Sequence, residues 1–171
     1  MKEKLGDNVE VCNIFKPSAK IGQVVENIDA LTEDFDEGDT VLIHGGSNDL
    51  QSKNTDIIQS LKEVLSSVNN VAKKTNVILC SVPARYDDEQ LNKRGKWMNN
   101  VFDQVLHQKC NRNIVVNHQP ERWGREYFAR DGLHYNREGK EVLCDWLCNA
   151  MLSGADSHKV NTSRGVISRF F

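Results

Sequence analysis

The chain has 171 residues, enough for one domain with a real core, and 39% of them are hydrophobic against 27% charged. The formal net charge is -2 with both signs dispersed, which gives no electrostatic footprint for a nucleic acid or a membrane surface. Five cysteines, an odd number set mostly in apolar runs, fit buried thiols in a reducing compartment better than a disulfide framework.

Met1 to Asn8 is polar and contains no apolar stretch resembling a signal peptide, and no run approaches the roughly 20 apolar residues of a membrane span. A cytoplasmic location is the expectation, with a true N-terminus further upstream as the reservation. The first β-rich run is Val9–Phe15. Ile21, Val24, Val25, Ile28 and Leu31 follow at helical spacing. Thr40–His44 is the second strand, and Ile57, Ile58, Leu61, Val64, Leu65, Val68 and Val71 form a long helical face. Asn76–Val82 is the third strand. Leu91, Trp97, Met98, Val101, Phe102, Val105 and Leu106 make a less regular helix. Asn113–Asn117 is the fourth strand, and Val142, Leu143, Trp146, Leu147 and Met151 close the pattern. Residues 1–152 therefore read as one domain. Residues 153–171 read as a polar, aperiodic tail that frays, with an apolar end, Ile167 to Phe171, able to dock on a surface.

Runs such as Val77-Ile78-Leu79-Cys80 and Ile114-Val115-Val116 are continuously apolar, as strands covered on both faces are. Their alternation with helices predicts an α/β fold, a doubly wound and mainly parallel sheet. In such sheets chemistry gathers at the loops leaving the C-terminal strand ends. Those loops here are Lys16–Lys20, Gly45–Asn54, Pro83–Glu89 and Gln119–Asn136.

After the second strand comes His44-Gly45-Gly46-Ser47-Asn48-Asp49. The glycines permit a tight turn and close approach of a ligand, so Gly46 and Ser47 are candidate substrate-binding positions. Asn48 carries an amide that can donate to an oxyanion, and the plain alternative is a glycine turn with Asn and Asp capping a helix start. The second cluster is Asp131-Gly132-Leu133-His134. Asp and His three residues apart in a turn can join carboxylate to imidazole and leave Nε2 as a base, with Asn136 as the N-cap of the last helix.

Together these blocks resemble the SGNH, or GDSL-type, hydrolases: Gly46-Ser47-Asn48-Asp49 is similar to their Gly-x-Asn-Asp block and Asp131-Gly132-Leu133-His134 to their Asp-x-x-His block. The resemblance spans Val9 to Met151 and implies a three-layer α/β/α flavodoxin-like fold with an ester hydrolase chemistry. It implies His134 as general base, Asp131 as its orienting partner and Asn48 as an oxyanion-hole donor. It places a backbone donor at Ser18 or Ala19, where the family has glycine. An ester, acylated small molecule or carbohydrate is the implied substrate, with no cofactor and no metal. Cys144 and Cys148 on an apolar helix and the unrelated His118 and His134 lack metal-ligand spacing. Gly45-Gly46 likewise lacks the pattern of a nucleotide loop.

The family's first block, a Gly-Asp-Ser segment ending the central strand, has no counterpart. Gly6-Asp7-Asn8 precedes a strand and lacks the serine, and Met1–Leu5 looks like the end of the helix before the family's second strand. Ser18, Ser47 and Ser81 are not placed as nucleophiles by that template. The chain is therefore expected to be truncated before the serine and inactive as it stands, or alternatively to be a non-catalytic binding or interaction module. The missing strand would leave a gap between the first two strands present, so the sheet is expected to be destabilised or to re-pair. Arg85, Arg122, Trp123 and Arg125 are further candidates to meet an anionic group.

Overall fold

A computed structural model describes residues 5, 9–108, 113–120, 123–155 and 163–169. Its elements in chain order are β1 (Val9–Phe15), α1 (Ile21–Val24), α2 (Ile28–Leu31), β2 (Thr40–His44), a 3₁₀ turn (Ser47–Gln51), α3 (Asn54–Val71), β3 (Asn76–Cys80), α4 (Glu89–Gln108), β4 (Ile114–Asn117), a second 3₁₀ turn (Arg125–Tyr127), α5 (Arg137–Ala155) and β5 (Ser163–Arg169). The five described strands form one sheet in the order β1-β5-β2-β3-β4, and every pairing is parallel.

The sheet is covered on both faces because its central strands are apolar on both. Val41 and Ile43 of β2 join Val77 and Leu79 of β3 in a core completed by α1 to α4. Leu42 and Ile78 belong to the opposite core, with Leu143, Leu147 and Met151 of α5 and the aromatic residues Trp123, Phe128 and Tyr135. All five residues of β2 are buried. In α3 the buried residues Ile57, Leu61, Val64, Leu65, Val68 and Val71 recur at three- and four-residue steps, the spacing of one helical face. The mainly parallel α/β architecture read from the sequence is thus present. No helix among the described residues is long and apolar enough to cross a membrane.

Two local expectations change. The face from Ile21 to Leu31 is split into two short helices, because Asn27 between them takes a left-handed conformation at φ 65. Cys12 is exposed on β1, whereas Cys80 and Cys148 are buried; β1 lies at the edge of the sheet, where one side of the strand faces outward. Cys110 and most of Met1–Leu5, with Gly6-Asp7-Asn8, lie outside the described residues.

The larger correction concerns the tail. The boundary expected after residue 152 falls inside α5, and Ser163–Arg169 is a strand rather than a frayed end. The gap expected between the first two strands is also not there. β5 fills it, pairing along its whole length with β1 and through Gly165 to Ser168 with β2. Its sequence, Ser-Arg-Gly-Val-Ile-Ser-Arg, holds only two consecutive apolar residues. Local propensity is too weak to announce such a strand, and its place between two others decides it.

Candidate functional site

The C-terminal ends of the parallel strands share one edge of the sheet, and the loops leaving β1 to β4 all reach a single cleft of about 250 Å³. Its lining includes Ser18 and Ala19 after β1, His44 to Asn48 at the end of β2, Pro83 after β3, and Leu133 to Tyr135 ahead of α5. Asn48, Ser18, Gly46, Ser47 and His134 are thus brought together around one space. Asp131 stands behind His134.

The turn after β2 depends on Gly46, whose φ of 103 lies in the left-handed region. A side chain there would sit 2.7 Å from Val82 Cγ2 and 3.1 Å from Met98 Cε, so the close packing of this loop on β3's exit and α4 needs glycine. Two adjacent residues then fasten the loop to its neighbour. Asn48 Nδ2 donates to the Ala19 carbonyl at 3.0 Å, and the Ile21 N–H donates to Asp49 Oδ2 at 2.9 Å. Asp49 therefore caps α1 from a distance of 28 residues in sequence. Asn48 spends one of its two amide hydrogens on the Lys16–Lys20 loop and keeps the other. Ser18 has φ 56, a left-handed backbone that glycine adopts most easily.

Burial pushes the Asp49 carboxyl above the usual range, opposed by the Ile21 N–H and by Lys20. A raised folded pKa means that this group's contribution is fully present below the unfolded value and is lost as pH rises through the folded one. Asp49→Asn keeps an acceptor for Ile21 without a buried charge. We expect it to flatten the fall in stability as pH rises above the ordinary carboxylate range, whereas Asp49→Ala costs about 1–3 kcal/mol because it orphans the Ile21 N–H. Urea denaturation at several pH values checks both; equal slopes in wild type and Asp49→Asn would rule this account out.

Asp131-Gly132-Leu133-His134 is a tight turn held from several sides. Asp131 Oδ1 accepts the N–H groups of Leu133 (2.9 Å) and His134 (3.0 Å), and Asp131 Oδ2 lies 2.6 Å from His134 Nδ1. Beside an acceptor-only carboxylate, Nδ1 is assigned as the protonated nitrogen. The His134 side chain, with the two backbone donors behind it, holds the Asp131 carboxyl well below the usual carboxylate range. Among the described residues, Nε2 of His134 makes no hydrogen bond. Both side chains are about half exposed. The last helix starts as expected: Asn136 Oδ1 accepts the Gly139 N–H at 2.8 Å.

The arginine candidates are committed elsewhere. Arg85 makes a bidentate pair with Asp87, at 2.9 and 2.5 Å, and reaches the Ser47 carbonyl at 3.4 Å. It buttresses the cleft from behind, a long-range role with no local sequence signal. Arg125 donates to the Phe128 and Arg130 carbonyls. Trp123 is core, packed edge-on to Trp146 at 5.5 Å. Arg122 lies outside the described residues. His118 pairs with Asp103 at 3.0 Å on the surface, and no group of metal-ligating side chains occurs among the described residues.

No protein-family model and no curated protein sequence matches the chain. Solved structures do. A carbohydrate esterase family 3 protein from Talaromyces cellulolyticus superposes with a TM-score of 0.64 at 14% identity, over 83% of this chain and 70% of that one. The chain shares the α/β fold of that structure. A Clostridium thermocellum family 3 carbohydrate esterase gives a TM-score of 0.61 at 18% identity, covering 82% and 68% of the two chains. An acetyl esterase carrying a serine-to-alanine substitution, with an acetate ion, gives 0.58 at 13%, covering 87% and 98%. At these identities the likeness concerns the fold.

Proposed function

We propose that the cleft is an acyl-ester site of the SGNH type, and that this chain binds a short-chain ester or its carboxylate product without serine-dependent turnover. The observation that carries the reading is the Asp131–His134 unit at 2.6 Å on the same cleft as Asn48. In this reading Asn48 Nδ2 and the backbone N–H at Ser18 donate to the carbonyl oxygen. Asp131 holds the imidazole, and Nε2 of His134 is the base. The volume, near the lower end for ligand pockets, suits an acetyl-sized group on a larger alcohol or sugar that extends into solvent. An acetyl esterase and two carbohydrate esterases among the structural relatives are consistent with that size.

Turnover needs a hydroxyl within about 2.6–3.2 Å of the base. Ser18 and Ser47 line the cleft, but neither is hydrogen-bonded to His134 among the described residues. That observation favours a binding module over an esterase.

The test is acetate and p-nitrophenyl acetate with wild type, Asn48→Ala and His134→Ala. Acetate is expected to shift the amide signals of Ser18 and Asn48 in NMR spectra. Asn48→Ala should weaken binding about 10–100-fold, the worth of one hydrogen bond to a charged group. Hydrolysis should show no burst and no excess over His134→Ala. A burst that vanishes in His134→Ala would reveal a working nucleophile and refute the inactive reading. Acetate shifts confined to other residues would refute the site.

A further inference from the structure

The segment from Val82 to Tyr86 has no helix or strand of its own, yet every backbone N–H it possesses is taken by another part of the fold. Val82 donates to Asn99 Oδ1 at 2.8 Å and Arg85 to Asn92 Oδ1 at 3.0 Å, both acceptors standing on α4. Ala84 donates to Gln119 Oε1, just beyond β4, at 3.0 Å, and Tyr86 donates to the Gly132 carbonyl at 2.8 Å. Pro83 has no N–H to satisfy. An irregular segment with every donor engaged inside the fold has little freedom to move, and this one acts as a bar.

The bar touches both halves of the cleft. The Asp131–His134 turn lies against one end, where Gly132 packs so closely on the Tyr86 and Asp87 backbone that a Cβ has no room. On the other side, Arg85 Nη1 donates to the Ser47 carbonyl at 3.4 Å. The Arg85 side chain is only 8% exposed, and the two carboxylate oxygens of Asp87 hold its Nε and Nη2. Buried ion pairs add little net stability, because desolvation offsets the attraction. What this pair fixes is direction: with Nε and Nη2 committed to Asp87, the planar fork turns Nη1 towards Ser47. The Ser47 carbonyl belongs to the peptide that joins Ser47 to Asn48, so holding it sets where the Asn48 side chain begins.

We propose that Arg85 is a positioning residue of the acyl site, holding the Asn48 donor at a fixed separation from the Asp131–His134 unit. The proposal rests on the acyl-site reading of the cleft. Arg85 does not line that cleft. Its effect passes through the Ser47–Asn48 peptide, and so it must disappear when the Asn48 amide is absent.

The test is a double-mutant cycle on acetate affinity, read from NMR titrations of the full chain with chloride replacing acetate to hold ionic strength constant. Arg85→Met keeps the methylene stem and removes the fork. It should weaken acetate binding about 5–20-fold in the wild-type background and less than about twofold in Asn48→Ala, where the donor it positions is gone. In the ligand-free protein it should also move the Asn48 side-chain amide signal. Should Arg85→Met fold poorly, Arg85→Lys takes its place, keeping a charge for Asp87 without a fork that holds Asp87 and Ser47 together. The same pattern with a smaller loss is then expected. Equal weakening with and without the Asn48 amide would reduce Arg85 to a general structural role and overturn the proposal, as would unchanged acetate binding in a folded Arg85→Met protein. A wild type whose Ser18 and Asn48 signals ignore acetate is a different result: it removes the acyl-site reading itself, and the positioning role with it.

Discussion

A chain ended at Ala155 is expected to lose its cooperative unfolding transition at ordinary temperatures. β5 supplies the strand partner that β1 has in the described sheet and closes the otherwise open side of β2. β2 is buried along its whole length, so water cannot replace the lost ladder bonds without opening the core. Each buried group left unsatisfied costs about 1–3 kcal/mol, and several such groups match the whole stability of a typical domain, about 5–15 kcal/mol. Collapse of β1 directly onto β2 would recover part of this, but it would drag the Lys16–Lys20 loop off Asn48 and Asp49. Circular dichroism melts of the two chains decide the matter. A melting temperature for the shortened chain within a few degrees of wild type would show that β5 carries no weight in the sheet.

Gly132→Ala is expected to destabilise the protein by about 2–5 kcal/mol, combining left-handed strain with forced overpacking. Gly132 has φ 75, and a Cβ there would lie 2.7 Å from the Tyr86 carbonyl carbon and 2.8 Å from the Asp87 nitrogen. Those are backbone atoms and cannot swing aside. The Tyr86 N–H also donates to the Gly132 carbonyl at 2.8 Å, and the Ala129 N–H to the His134 carbonyl at 2.6 Å. Any movement of the turn therefore reaches Asp131 and His134. Urea denaturation should give the loss in stability, and the His134 ring signals should move with it. A variant within about 0.5 kcal/mol of wild type, the range of a neutral surface change, would mean that the turn is slack.

Much of the architecture was legible because it is written in local pattern. β2 and β3 are unbroken apolar runs, and α3 carries its buried residues on one face, so period alone located them. Each site block alone is ordinary turn chemistry, since glycine, asparagine and aspartate are common at strand exits; only their pairing and its family resemblance singled them out, and the residues from both loops do line one cleft. Other features were written only in tertiary contact. Asp49 gives no sign in sequence that it accepts from Ile21, and Arg85 none that it reaches the Ser47 carbonyl. Trp123 sits in a polar stretch yet is core. β5 is the extreme case: Val166 and Ile167 are too short a run to be read as a strand, and only neighbours from the far end of the chain make them one.

That separation carries a consequence in time. The register joins Val9 to Ser163 and Phe15 to Arg169, so the pairing closes a loop of nearly the entire polypeptide. During synthesis β2, β3 and their helices are complete before residues 163–169 exist, and the sheet must wait with one side of β2 open. Non-local closure of this kind is the slow class of folding event, and an open strand edge is the kind of surface on which chains misassociate. Among the described strands, the last to be made is the one that seals the sheet between β1 and β2.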